Sequence, residues 1–238
     1  MNLALLFDDD YLSDNKVRLH GRRHQQILSI HKSTIGDTVK VGKLNDRMGI
    51  GVITALNDNF VELDIKLNQQ PPTPLPMRLI TALARPPMMR RIFSAAAEFG
   101  IKDIVVINTN RVEKSFWQSP SLAEEKVNEL LYLGLEQAKD TIMPSVTFYK
   151  RFRPFIEDEL PALLTNTKPL IAHPQSETNC PRGLTEHITL AVGPEGGFIP
   201  FEIEQFLAAG FKAINIGPRV YKVENAISIL TAKLFRYI

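Results

Sequence analysis

The chain has 238 residues, 44% hydrophobic and 23% charged, with a formal net charge of +2. That balance excludes a disordered or fibrous protein and leaves room for two domains. No apolar run approaches the roughly 20 residues of a membrane-spanning helix, and the start Met1-Asn-Leu-Ala-Leu-Leu-Phe7 has no basic region before its short apolar stretch, so a cytoplasmic location without membrane contact is expected.

Charge is distributed unevenly. Between Asn15 and Lys43 lie Lys16, Arg18, Arg22, Arg23, Lys32, Lys40 and Lys43 against the single acid Asp37, together with His20, His24 and His31. Such a window can neutralise backbone phosphates, and Arg22, Arg23, Lys32, Lys40 and Lys43 are its candidate RNA-binding residues. A solvated face balanced by Asp8, Asp9 and Asp10 is the competing reading. Arg22 to His31 reads as a helix. Around it, Thr38 to Val41, Ile50 to Ala55 and Val61 to Ile65 are short β-type runs separated by Gly36-Asp37, Asn45-Asp46 and Asn57-Asp58, the pattern of a small β-barrel.

Asn68 to Pro76 carries four prolines and reads as an extended spacer unable to enter a central strand. It separates residues 1–70 from residues 71–238. Beyond it, strand-like and helical runs alternate in α/β order: Leu79 to Ala84, Met88 to Phe99, Ile104 to Ile107, then Ser121 to Lys139 opening on the capping-box pattern Ser121-Leu-Ala-Glu124. Pro169 to Ala172, Ile188 to Val192 and Ala213 to Ile216 are almost wholly apolar, as parallel strands buried on both faces are. Helices are expected at Pro200 to Ala209 and Glu224 to Tyr237. The apolar residues Ile227, Ile229, Leu230, Leu234 and Phe235 of the last helix spread around it widely enough to suggest a second covering surface.

Each of the three apolar runs feeds an unusual loop: His173-Pro-Gln-Ser-Glu177, Gly193-Pro-Glu-Gly-Gly-Phe198 and Gly217-Pro-Arg-Val-Tyr-Lys-Val-Glu224. Ligands of open α/β sheets bind beyond the carboxyl ends of the strands, and glycines there permit close backbone approach; a ligand-free turn is the alternative for a glycine cluster alone. Neither the phosphate loop G-x-x-x-x-G-K-[ST] nor G-x-G-x-x-G occurs, which argues against nucleotide hydrolysis and dinucleotide redox chemistry. The single cysteine, Cys180, leaves no cysteine cluster for zinc; no metal is expected, and a buried or incidental thiol is the preferred reading.

The segment Ala191-Val-Gly-Pro-Glu-Gly-Gly-Phe-Ile-Pro-Phe-Glu202, followed by Ile216-Gly-Pro-Arg-Val-Tyr-Lys-Val-Glu-Asn-Ala226, resembles the paired signature of the bacterial 16S ribosomal RNA uridine-N3 methyltransferase family of the knotted SPOUT superfamily. Ala97-Glu-Phe-Gly100, Thr109-Asn-Arg111, Glu136-Gln137 with Pro144, and Gly36-Asp37 extend the likeness over most of the chain. The resemblance implies a PUA-like RNA-binding barrel over 1–70 and an α/β domain over 71–238, with a parallel sheet, flanking helices and a C-terminal trefoil knot. It implies S-adenosylmethionine as cofactor, held by Ala172, His173, Gly193, Pro194, Glu195, Gly196, Gly197, Ile216, Gly217, Val220, Tyr221 and Ala226.

The implied partners are ribosomal RNA or the small ribosomal subunit and a second copy of the chain, with Arg111 of one subunit near the cofactor of the other. The implied reaction is methylation of N3 of a uridine, a Watson–Crick-edge position that requires an unpaired or flipped base. Arg111, Arg219 and Lys222 are the matching cations that could stabilise a uracil anion, and Glu224 is a candidate for orienting substrate. Lys222 stands where arginine is usual and Asn225 where threonine is. Glu136-Gln-Ala-Lys-Asp140 lacks the usual serine and arginine, and Ala95 replaces a lysine. These departures keep two alternatives open: methylation of another RNA position, and a noncatalytic RNA- and cofactor-binding relative.

Overall fold

The computed structural model of the chain describes residues 2–30 and 33–236. The expectations placed on His31, Lys32 and Tyr237 lie outside the described residues. The chain forms two compact units, Met1–Thr73 with Tyr132–Met143, and Pro74–Leu131 with Pro144–Ile238.

In the first unit, β1 (Ala4–Leu6), β2 (Tyr11–Ser13), β3 (Lys16–Leu19), β4 (Thr38–Lys43), β5 (Met48–Leu56) and β6 (Val61–Gln69) form one sheet in the order β1-β4-β5-β6-β3-β2. Among the described residues of this sheet only β1 and β4 pair in parallel. Among the described residues no ladder joins β1 to β2, so the sheet curls without closing. Alternation along β5 buries Ile53 and exposes Ile50 and Val52. Leu6, Val17, Leu19, Ile27, Val41, Val61 and Leu63 complete the core on that face. The expected helix is α1 (Gly21–Gln25), which passes into a π-helical turn, Gln26–Ile30.

Much of the basic window is paired inside this unit. Arg23 donates to Asp10 at 2.5 and 2.8 Å and to the Leu5 carbonyl at 2.6 Å, and its side chain is only 15% exposed. Arg23 is therefore corrected from a phosphate contact to a structural ion pair. Arg22 meets Glu136 at 2.6 Å and Lys43 meets Asp8 at 3.0 Å; Lys16 and Arg18 share Glu62. Arg22 is half exposed (48%) and Lys43 also reaches solvent, so both could exchange partner. Lys40 lines a recess of about 320 Å³ with Lys139, a cation that sequence reasoning did not single out. Removing one partner of a buried pair strands the other, so Arg23→Ala should lower stability by about 3–5 kcal/mol. Urea unfolding should show a lower midpoint with an unchanged slope; an unshifted midpoint would return Arg23 to the surface.

The second unit holds a wholly parallel sheet, β7 (Leu75–Ala82), β8 (Ile101–Ile107), β9 (Ser145–Tyr149), β10 (Lys168–Ala172), β11 (Ile188–Val192) and β12 (Lys212–Ile214), in the order β12-β10-β11-β7-β8-β9. Its helices are α2 (Pro86–Glu98), α3 (Glu124–Ala138, whose last residues belong with the first unit), α4 (Phe152–Pro154), α5 (Leu160–Leu163), α6 (Pro200–Ala208) and α7 (Val223–Leu234). α2 packs on β8 and α7.

Four expectations need revision. Pro76 does enter a central strand; it is accommodated where the β7–β8 register shifts between Leu75 and Arg78, so no ladder bond is required of it. The capping box at Ser121 does not form, because Ser121 lies in a 3-10 turn and its hydroxyl meets that of Ser119 at 2.8 Å. β12 ends at Ile214 because Asn215 leaves the sheet to bond Thr178 and Cys180. Finally, Ile227, Leu230 and Leu234 of α7 and Phe235 just beyond it are buried within the chain, with Ile229 half-buried, so most of the apolar spread needs no second subunit to cover it.

Candidate functional site

β12, β10, β11 and β7 are adjacent, and their carboxyl ends stand level, with Ala172 opposite Ile214 and Val192 opposite Thr81. The loops after β10, β11 and β12 therefore open at one edge of the sheet.

The loop after β11 is a tight turn closed by Gly197 N–H donating to the Pro194 carbonyl at 2.8 Å, with Gly197 at φ +73°. A Cβ on Gly193 would stand 3.1 Å from the backbone nitrogen of Phe198, so the two limbs of the turn approach too closely for a side chain there. Glu195 accepts from the Arg85 N–H at 3.0 Å, fastening the turn to the start of α2. After β10, His173 N–H donates to the Ile214 carbonyl at 2.9 Å and Ser176 Oγ to the Ala213 carbonyl at 2.8 Å. After β12, Asn215 accepts from Gly217 N–H at 3.0 Å.

These loops enclose a pocket of about 580 Å³ lined by Ala172, His173, Gly193, Pro194, Glu195, Gly196, Gly197, Phe198, Val220, Tyr221 and Ala226. A narrower recess of about 70 Å³ shares Ala172, His173, Val220, Tyr221 and Ala226 and adds Ile216, Gly217 and Arg219. Every position assigned to the cofactor by resemblance thus lines one or both. Val220 is 83% exposed, which leaves that rim open.

The candidate catalytic residues divide. Arg111 lines the larger pocket of its own chain and donates to the Gly196 carbonyl. Within its own chain the loop after β8 carries it to the glycine turn. Arg219 is exposed in the smaller recess. Lys222 caps α7 from outside and lines neither space. Glu224 is also outside both; as the second residue of α7 it is buried and accepts from Arg91 of α2 at 3.2 Å through one carboxylate oxygen.

Sequence reasoning missed Glu202. It is 2% exposed on α6, accepts from the Asn110 N–H at 2.6 Å and from the Ile199 N–H at 3.0 Å, and so ties the segment bearing Arg111 to the start of α6. The available signal was an acid at the third position of the helix that Pro200 opens. Cys180 is buried, and burial pushes its thiol up to about 11, which disfavours the thiolate at neutral pH.

A parallel sheet with a pocket at its carboxyl edge, lined in part by a glycine turn, defines an α/β protein. A family model described as an RNA methyltransferase domain matches residues 71–234, and the chain belongs to that family. It is 26% identical over 232 residues to ribosomal RNA small subunit methyltransferase E of Treponema pallidum, covering 95% of this chain and 87% of that protein. A crystal structure of the protein of that name from Neisseria gonorrhoeae, bound to S-adenosyl methionine, superposes with a TM-score of 0.73 at 18% identity, covering 97% of this chain and 96% of that one. A putative methyltransferase of Legionella pneumophila, in complex with the same cofactor, gives 0.72 at 19% identity, covering 97% and 94%. These superpositions establish the shared fold.

Proposed function

We propose that this chain transfers a methyl group from S-adenosylmethionine to N3 of a uridine in the 16S RNA of the small ribosomal subunit. The observation that carries the reading is the convergence of three strand-end loops, with glycines at 193, 196 and 197, on one pocket in an RNA methyltransferase domain. The residues present suit that cofactor. A volume of about 580 Å³ lies within the span of about 300–1,000 Å³ usual for small-molecule sites, and the glycine turn leaves backbone groups open to a ligand.

When bound, S-adenosylmethionine supplies an electrophilic methyl on a sulfonium. The chain's own contribution is positional. Gly193 and Gly196 let the turn fold closely on Phe198 and Arg111, Gly197 presents backbone to the pocket, and Phe198, Tyr221 and Ala226 give apolar lining beside it. Arg111 holds a guanidinium at the rim, where it can meet the charge that develops on O2 or O4 as N3 loses its proton. Arg219 is a second cation for the same task or for a phosphate.

We read the first unit as a PUA-like barrel that contributes RNA affinity through Lys40 and the exposed head of Arg22, with Lys32 and Lys43 as further contacts. The second unit is read as the knotted catalytic domain. The bonds from Asn215 to Ser176, Thr178 and Cys180, and from Leu184 to Leu234, support threading of the last helix past the loop after β10. A homodimer belongs to this reading, with a second copy covering the exposed Val220 and Tyr221.

Purified protein incubated with methyl-labelled S-adenosylmethionine should label deproteinised small-subunit RNA or the assembled subunit. Saturable cofactor binding without label in either would instead favour a noncatalytic relative.

A further inference from the structure

Beside the pocket, at the carboxyl ends of β8 and β9, cations and aromatic rings are interleaved in a way the proposed pocket chemistry does not use. The Asn108 N–H donates to the Tyr149 carbonyl at 2.9 Å, which brings the loop after β8 alongside the end of β9. Trp117, the sole tryptophan of the sequence, is half-buried on that loop. Its Nε1 donates to Asn108 at 2.8 Å, and Phe148 of β9 stands edge-on at 6.4 Å. Lys150 lies over the indole at 6.0 Å, the outer limit of a cation–π contact. Arg151 is exposed next in sequence, and Arg153 lies 5.4 Å from the centre of the partly exposed Phe201 ring on α6. Lys114 is exposed on the Trp117 loop. Among the described residues none of these four cations makes an ion pair. Among the acids nearby in sequence, Glu113, Glu157 and Asp158 pair with none of them and Glu159 accepts the Tyr149 hydroxyl at 3.3 Å.

The surface is continuous with the pocket. Arg111, three residues past Asn108, touches Gly196; Glu202 of α6 holds Asn110; and Phe206 of α6 contacts both Phe198 in the pocket wall and Phe152 beside Arg153. Unpaired cations that track a backbone, set among rings on which bases stack, are the two requirements of single-stranded nucleic-acid binding. We infer that the single-stranded RNA flanking the target base crosses the carboxyl ends of β8 and β9, with Trp117 as a stacking platform and Lys114, Lys150, Arg151 and Arg153 on its phosphates. The inference rests on the RNA methyltransferase reading, and its test needs no methyl transfer, so failure of one is distinguishable from failure of the other.

The test uses the full chain and a labelled single-stranded oligouridylate. Binding should quench Trp117 emission. The triple variant Lys150→Ala, Arg151→Ala, Arg153→Ala should bind at least about tenfold more weakly, with a salt slope smaller by about two, while S-adenosylmethionine affinity stays unchanged. Trp117→Leu should weaken binding by about five- to a hundredfold and Trp117→Phe by less; should Trp117→Leu fail to fold, the quench and the triple variant still decide. Unchanged emission on saturation, with unchanged affinity and salt slope in the triple variant, would overturn the inference. A triple variant that alters the molecular mass in light scattering and leaves RNA affinity intact would assign the surface to a second copy and equally overturn it.

Discussion

Gly197→Val is expected to lower affinity for S-adenosylmethionine by about 100-fold or more, equivalent to about 2.7 kcal/mol. Gly197 holds φ +73°, where a β-branched residue is strained however much room surrounds it, and its N–H closes the turn on Pro194. Valine would relieve that strain by opening the turn, which moves the backbone that faces the pocket and places a branched side chain beside it. The β11 strand that feeds the turn is buried along its whole length, so the sheet should survive. Calorimetry with the cofactor checks this. Wild-type affinity in a folded Gly197→Val chain would remove the turn from the binding site.

Glu202→Ala should combine a stability loss of about 3 kcal/mol with a larger relative loss of methyl transfer. Two backbone N–H groups, of Asn110 and Ile199, lose their acceptor inside the protein, at roughly 1–3 kcal/mol each. The segment carrying Arg111 is then no longer tied to α6. Glu202 acts through Arg111 and is a positioning residue, so the turnover number should fall by more than tenfold, about 1.4 kcal/mol, with little change in cofactor affinity. Glu202→Gln retains one acceptor oxygen and should recover part of both losses. Equal stability loss in the two variants, with activity intact, would reduce Glu202 to a helix cap.

In the second unit β11 was legible because it is buried along its whole length and so appears as an unbroken apolar run, and β10, β11 and β12 each lead into a loop whose glycines or prolines have no role in a strand. Helix ends at Gly100 and Gly210 were readable for a related reason, since both glycines take positive φ just past the last turn. β9 escaped because it is an edge strand, and Ser145 and Thr147 on its exposed face interrupt the apolar pattern.

The first unit was read less well. β1 finds its partner in β4, with Ala4 opposite Val41, a pairing that no local pattern in either segment announces. The same distance in sequence hid the fate of the cations. Arg18 lies 44 residues from Glu62 and Arg22 lies 114 from Glu136, so a window counted as strongly basic loses much of its free charge once folded. For Glu224 the residue pattern left a structural role and a substrate-orienting one equally open: its neighbour Val223 and the later Ala226 line the pocket, while Glu224 itself accepts from Arg91 of α2.

Nucleoside analysis of the methylated RNA tests the central claim most directly. After incubation with S-adenosylmethionine, small-subunit RNA digested to nucleosides should contain N3-methyluridine by mass spectrometry against authentic standards, and none should form with the Gly197→Val chain. Methyl label recovered only as a ribose-methylated or carbon-methylated nucleoside would contradict it.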